Sequence, residues 1–199
     1  MENVPDPPAR NNDTEYPTPD HAMTDGWQRC FIALAPSAAT RDALAAVPVA
    51  STARRVPYEQ LHLTVTFIGA LSAGHGEALA RALTAHAVPL APVAIERIEH
   101  WPNTNRPRLT VAALAMSDEF VALDWRIRSL MLELGLPVDA RAFRPHITLA
   151  RFGREAAAIG DVYLTAPEII VRFESLVLYS STLARHGARY SALASVPLA

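Results

Sequence analysis

The chain has 199 residues, half of them hydrophobic, which is enough for one sizeable core and close to the length of a single domain. Its formal charge of −2 excludes a globally basic nucleic-acid coat and leaves room only for a locally basic groove. All 18 basic side chains are Arg, which excludes a lysine nucleophile, a Schiff base and the GxxxxGK[ST] phosphate loop; the high Ala content attributes this usage to composition bias before function.

Residues 1–26 are rich in Pro, Asn, Asp and Thr, with too few apolar side chains to offset the entropy of ordering, and read as a disordered tail. They lack the basic start and apolar run of a secretory signal, and no later stretch reaches the length of a membrane span. The expectation is a cytoplasmic monomer that needs no membrane. Arg29 to Ala35 then reads as a strand, and the single Cys30 inside it as a buried, inert thiol. Ser37 is placed to cap a helix through Val47, and Arg54 with Arg55 falls in a solvated loop.

Leu61 to Ile68 reads as a strand stopped by Gly69, and Gly76 to Ala87 as a helix. Val93 to Trp101 and Arg108 to Leu114 read as a hairpin across a turn-rich linker. Ser117 begins a long helix with Phe120, Leu123, Ile127, Leu130, Met131 and Leu134 on its core stripe; Asp124 and Glu133 take its solvated side, and Gly135 ends it. His146 to Arg151, Ile169 to Tyr179 and Tyr190 to Val196 complete the set of strands.

Within this order one segment occurs twice. His62-Leu-Thr-Val-Thr-Phe-Ile-Gly69 returns as His146-Ile-Thr-Leu-Ala-Arg-Phe-Gly153, with His, apolar, Thr and apolar in register and a Gly seven residues on. Alternation along a strand puts His62 with Thr64, and His146 with Thr148, on one face, while Leu63, Val65, Ile147 and Leu149 take the other. Each half of the chain runs strand, helix, motif strand, further strand. The fold expected is therefore a duplicated α+β unit, in which a pseudo-twofold axis brings to one cleft two histidines 84 positions apart.

A repeat needs apolar positions for packing, but packing gives no reason to keep His. Imidazole is both acid and base near neutrality, so two of them about one phosphate divide the work of phosphodiester chemistry without a metal or other cofactor. The Thr hydroxyls two residues on are placed to hold the non-bridging oxygens. A zinc site is disfavoured, because neither motif brings Cys, Asp or Glu to the same face and no HExxH spacing exists.

These blocks resemble the two-histidine phosphoesterase superfamily, and within it the RNA 2′,3′-cyclic phosphodiesterases first described as 2′-5′ RNA ligases. The resemblance runs from Arg29 to Leu193. It is carried by the opening strand Arg29-Cys-Phe-Ile-Ala-Leu34, the first motif and Trp101-Pro-Asn-Thr-Asn-Arg-Pro-Arg108, then by Phe143-Arg-Pro-His-Ile-Thr-Leu-Ala-Arg151 and Leu178 to Tyr190. It implies a bilobed α+β fold of two antiparallel sheets around a central groove, with helices outside. It also implies hydrolysis of terminal 2′,3′-cyclic phosphates to 2′-phosphates, with reverse 2′-5′ ligation as a side activity.

By the same resemblance His62 is the acid, His146 the base, and Thr64, Thr148 and Arg151 hold the phosphate. Arg151 lies five residues past His146, an odd number, so it needs a bulge to reach the histidine face. Phe31 matches a family aromatic and is either a base-stacking platform or core, whereas Trp101 and Phe143 read first as packing. His75, His86, His100 and His186 lack the motif context and read as surface or satisfied core residues. The missing Lys residues and the added tail set this chain apart from many relatives. Two further readings stay open: a phosphodiesterase for another small cyclic or 2′-5′ linked nucleotide, and a non-catalytic RNA-binding module.

Overall fold

Ser37, Ser72 and Ser117 each accept a hydrogen bond on Oγ from the backbone N–H three residues on, at 3.3 Å in all three cases, and each opens a helix. The helices are α1 (Ala38–Ala46), α2 (Ala73–Ala82) and α3 (Asp118–Glu133). The structure, a computed structural model, describes residues 26–159, 168–184 and 187–198. The tail expected over 1–26 thus lies outside the described residues except for Gly26, as does His186.

Helix α2 starts three residues before the Gly76 expected to open it, because Ser72 caps it and the flexible Gly74 and Gly76 fall inside. Gly76 has a packing reason: a Cβ there would sit 2.1 Å from the Trp27 ring. Helix α3 ends as its sequence requires, with Gly135 at φ 65° and the N–H groups of Gly135 and Leu136 donating to Leu132 and Met131. Its predicted stripe is buried from Phe120 to Met131.

The strands are β1 (Gly26–Pro36), β2 (Arg54–Arg55), β3 (Leu63–Ser72), β4 (Val93–Trp101), β5 (Leu109–Leu114), β6 (His146–Arg151), β7 (Ile170–Val171), β8 (Phe173–Ala184) and β9 (Gly187–Pro197). They run in the antiparallel order β7-β4-β5-β6-β3-β1-β8-β9, with β2 added to β6. The two sheets expected on either side of a groove are therefore one path, joined where β3 meets β6 at the pair Leu63↔Ile147. Both residues are fully buried.

Three boundaries differ from expectation. Gly69 does not stop β3; at φ 94° it lets the strand bend at an irregular pairing with Cys30 and continue to Ser72. The single strand expected over Ile169 to Tyr179 is broken at Arg172, whose N–H donates to Thr40 Oγ1 and whose carbonyl accepts from Ser37 N–H, so the start of α1 takes the backbone groups a ladder would have used. Arg54 and Arg55 form a two-residue strand on β6, opposite Arg151 and Ala150, rather than a loop.

Candidate active site

Leu63 and Ile147 occupy equivalent places in the two motif strands, directly after each histidine, so their pairing sets a local twofold axis between the repeats. Continuing that register places His62 across from Thr148 and Thr64 across from His146. All four side chains are half-buried, on the face opposite the buried Leu63 and Ile147. Beyond that one pair, β3 and β6 share no further ladder pair among the described residues.

Both motif strands are also bulged, and at the same step. Against β1, Ala33 pairs with Thr64 and Ile32 with Thr66, so Val65 is an inserted residue. Against β5, Val111 pairs with Thr148 and Thr110 with Ala150, so Leu149 is its counterpart. Each insertion buries two consecutive side chains, Val65 with Thr66 and Leu149 with Ala150, and turns the next residue to the histidine face. In β6 that residue is Arg151, which gains the bulge its position demands. In β3 it is Phe67, 55% exposed, which parity alone assigns to the other face.

Each histidine is held in the same way. His62 Nδ1 donates to the Gln60 carbonyl and His146 Nδ1 to the Arg144 carbonyl, both at 2.7 Å. A carbonyl can only accept, so the Nδ1 proton is fixed and Nε2 of each neutral ring is the free base. Burial pushes the His62 pKa down to about 4; the Gln60 carbonyl opposes this, and the charges of Arg151 and His146 add to it. The His146 pKa is also lowered by burial, against the pull of its own carbonyl partner and with repulsion from Arg144 and Arg151. Arg151 thus acts electrostatically on both imidazoles.

Their surroundings differ. His62 lies in an aromatic cage, 5.1 Å from Phe31, 5.2 Å edge-on to Tyr190 and 6.3 Å from Tyr179. Phe31 is only 3% exposed, wedged among His62, Phe67, Tyr179 and Tyr190, so it supports the cage while Phe67 presents the open ring. His146 packs 4.4 Å from Trp101, and the Arg144 guanidinium lies 4.0 Å from that same indole. Trp101 therefore does more than fill the core.

The remaining candidates fall elsewhere. Phe143 packs edge-on against Phe120, and His100 is a satisfied core residue bonded to Thr110 Oγ1 at 3.2 Å. Cys30 is 1% exposed and its thiol is pushed up to about 11 by burial. His75 interacts with Ser72 beside the α2 cap, and Asp124 is paired with Arg128. Sequence reasoning missed Phe67, Tyr179 and Tyr190. Phe67 had a signal, since the bulge required for Arg151 applies equally to its repeat partner; the two tyrosines, on distant strands, had none.

Among the described residues no three His, Cys, Asp or Glu side chains gather as a metal-ligand set, and no helix is long and apolar enough to cross a membrane. The sequence pattern described as LigT like Phosphoesterase matches residues 35–111 and again 115–190, one match for each repeat. An RNA 2′,3′-cyclic phosphodiesterase of Geobacillus stearothermophilus is 26% identical over 145 residues, which is 70% of this chain and 46% of that protein, so the match spans about half of the relative's length. A crystal structure of E. coli LigT complexed with 3′-AMP superposes with a TM-score of 0.67 at 27% identity, covering 86% of this chain and 98% of that one. The crystal structure of a Thermus thermophilus protein, TT0787, superposes at 0.64 with 28% identity, covering 85% and 97%.

Proposed function

The chain belongs to the LigT-like phosphoesterase family, and from that membership we propose that it hydrolyses 2′,3′-cyclic phosphates of RNA ends or nucleotides to 2′-phosphates, using His62 and His146 as its acid and base. The observation that carries this reading is the matched presentation of two imidazoles, each with Nδ1 tied to a carbonyl and Nε2 left for the groove. A binding module has no need for that symmetry, whereas proton transfer in two directions does.

In this reading the cyclic phosphodiester lies over the Leu63–Ile147 pair, between the two histidines. Thr64, Thr148 and Arg151 hold its non-bridging oxygens and offset charge as the pentacoordinate state forms. His146 Nε2 takes a proton from water as the water oxygen bonds to phosphorus. The bond from phosphorus to O3′ breaks, and His62 Nε2–H gives its proton to that oxygen, leaving a 3′-hydroxyl and a 2′-phosphate.

His62 is neutral in the free protein because its cage excludes water. The negative substrate supplies the partner that draws a proton onto it. The base stacks on Phe67, whose exposed ring continues the cage. The same steps in the same direction, with a ribose 5′-hydroxyl in place of water, form a bond from phosphorus to O5′ as that to O3′ breaks, and so join two RNA ends through a 2′-5′ bond.

Turnover of a 2′,3′-cyclic nucleotide with chelator present, with the product assigned by phosphorus NMR, tests this reading. A 2′-phosphate is expected; a 3′-phosphate, or activity lost to the chelator, contradicts it.

A further inference from the structure

The two histidines share one tether, Nδ1 to a carbonyl, but differ in what stands behind them. His62 is backed by the rings of Phe31, Tyr179 and Tyr190, and the residue that tethers it is the neutral Gln60. His146 is backed by the ring of Trp101, at 4.4 Å, and its tether is the charged Arg144.

Trp101 is itself held on two sides. Its indole N–H donates to Glu99 Oε1 at 2.5 Å, and the Arg144 guanidinium lies 4.0 Å from the ring. Glu99 and Trp101 are two residues apart on β4, so alternation sets them on one face. The same carboxylate reaches Arg144 at 3.9 Å and Arg97 at 3.6 Å. Glu99, Trp101, His146 and Arg144 thus close a ring of four contacts: a hydrogen bond, a packed pair of rings, the Nδ1 tether and an ion pair.

We propose that Glu99 is a positioning residue for the general base, holding Trp101 against His146 so that Nε2 stays aimed at the attacking water. The proposal rests on the hydrolase reading above and adds to it a residue that acts through its neighbours. One hydrogen bond at Nδ1 leaves an imidazole free to swing about that point, and a ring packed on its face removes the freedom. An indole N–H that loses its acceptor turns to find another, and the packed ring moves with it. Glu99 also stands beside the nearest of the charges that oppose a proton on His146. Those charges are Arg144 and Arg151, and His62 is the titratable neighbour across the site.

The test compares Glu99→Leu, Glu99→Gln, Trp101→Phe and the double variant Glu99→Leu/Trp101→Phe with the native chain, by kcat and KM for a 2′,3′-cyclic nucleotide and by NMR titration of the His146 ring in the free protein. Glu99→Leu is expected to lower kcat by about tenfold to a hundredfold, the scale of a misaimed catalytic group, with KM little changed. Glu99→Gln keeps an acceptor for the indole and recovers part of that loss. It also removes the charge beside Arg144, so the His146 pKa falls below its native value. Trp101→Phe lowers kcat as well, and the double variant loses no more than the worse single one, because the two side chains act as a unit. Losses that multiply in the double variant overturn the proposal, as does an unmoved His146 titration in Glu99→Gln, which reads the effect even if Glu99→Leu fails to fold. A Glu99→Leu chain that raises KM at native kcat also overturns it, since Glu99 then serves binding. Each of those results leaves the hydrolase reading standing, whereas absence of turnover in the native chain overturns that reading and the proposal with it.

Discussion

Phe67 and Arg151 hold the same place in the two repeats: each lies five residues past its histidine and is carried to the histidine face by one inserted residue, Val65 or Leu149. The pseudo-twofold axis that matches His with His and Thr with Thr thus matches an aromatic ring with a guanidinium. In the proposed reading, one half of the site takes a base and the other an anion.

Arg151→Gln should reduce kcat/KM by about tenfold to a hundredfold, the loss of a charge-assisted contact to phosphate, without lowering Tm, since the side chain is exposed. Steady-state kinetics beside a thermal melt reads both quantities. A drop in Tm with kinetics unchanged would show that the bulge serves folding alone.

The two phenylalanines of the cage should separate cleanly. Phe67→Ala, at a ring 55% exposed, raises KM for a cyclic nucleotide and leaves stability nearly intact. Phe31→Ala, at a ring 3% exposed, costs about 3–5 kcal/mol of stability, measured by denaturant titration. If instead Phe31→Ala folds at native stability and alone raises KM, the base stacks on Phe31.

His62→Ala and His146→Ala should each lower kcat by about a hundredfold to ten-thousandfold in chelator-containing buffer, as expected for removal of one general acid or base. Thr64→Val and Thr148→Val should have smaller effects, since each removes one hydrogen bond to the phosphate. Native turnover in either histidine variant would falsify the paired mechanism.

The pH response follows from burial. The folded pKa of His62 is depressed to about 4, so NMR of the free protein should show this ring neutral down to that pH, and saturating inorganic phosphate should move its titration upward. The profile of kcat/KM, which reports the free enzyme, should therefore begin its alkaline decline below pH 6.5, and that of kcat at higher pH. For stability, the unfolded chain binds the His62 proton more readily than the folded chain between about pH 6.5 and pH 4. Stability is thus unaffected above that window and falls as pH drops through it, by at most about 3 kcal/mol for this group. A phosphate-independent titration near pH 6.5 would contradict the caged imidazole.

Much of this was legible in the sequence because duplication writes it twice. His62, Thr64, His146 and Thr148 share a face by alternation alone, and Ser37, Ser117 and Gly135 mark helix ends through local chemistry. What escaped depends on contacts between distant segments. The break at Arg172 exists because Thr40 and Ser37, more than 130 positions earlier, take its backbone groups. Tyr190 reaches His62 only because β9 pairs with β8, and β8 with β1. Phe67 was hidden by the strict period of two, which a single inserted residue resets.

The pair Leu63–Ile147 also behaves as a fulcrum. Among the described residues it is where the two halves of the sheet join directly across β3 and β6, and it lies on the opposite face from His62, Thr64, His146 and Thr148. Any rocking of one half against the other about that point displaces the far walls, Phe67 and Tyr190 at one end and Arg144 at the other, much more than it displaces His62 or His146. In the proposed hydrolase, such rocking would change the separation of those walls while keeping the spacing between the two histidines.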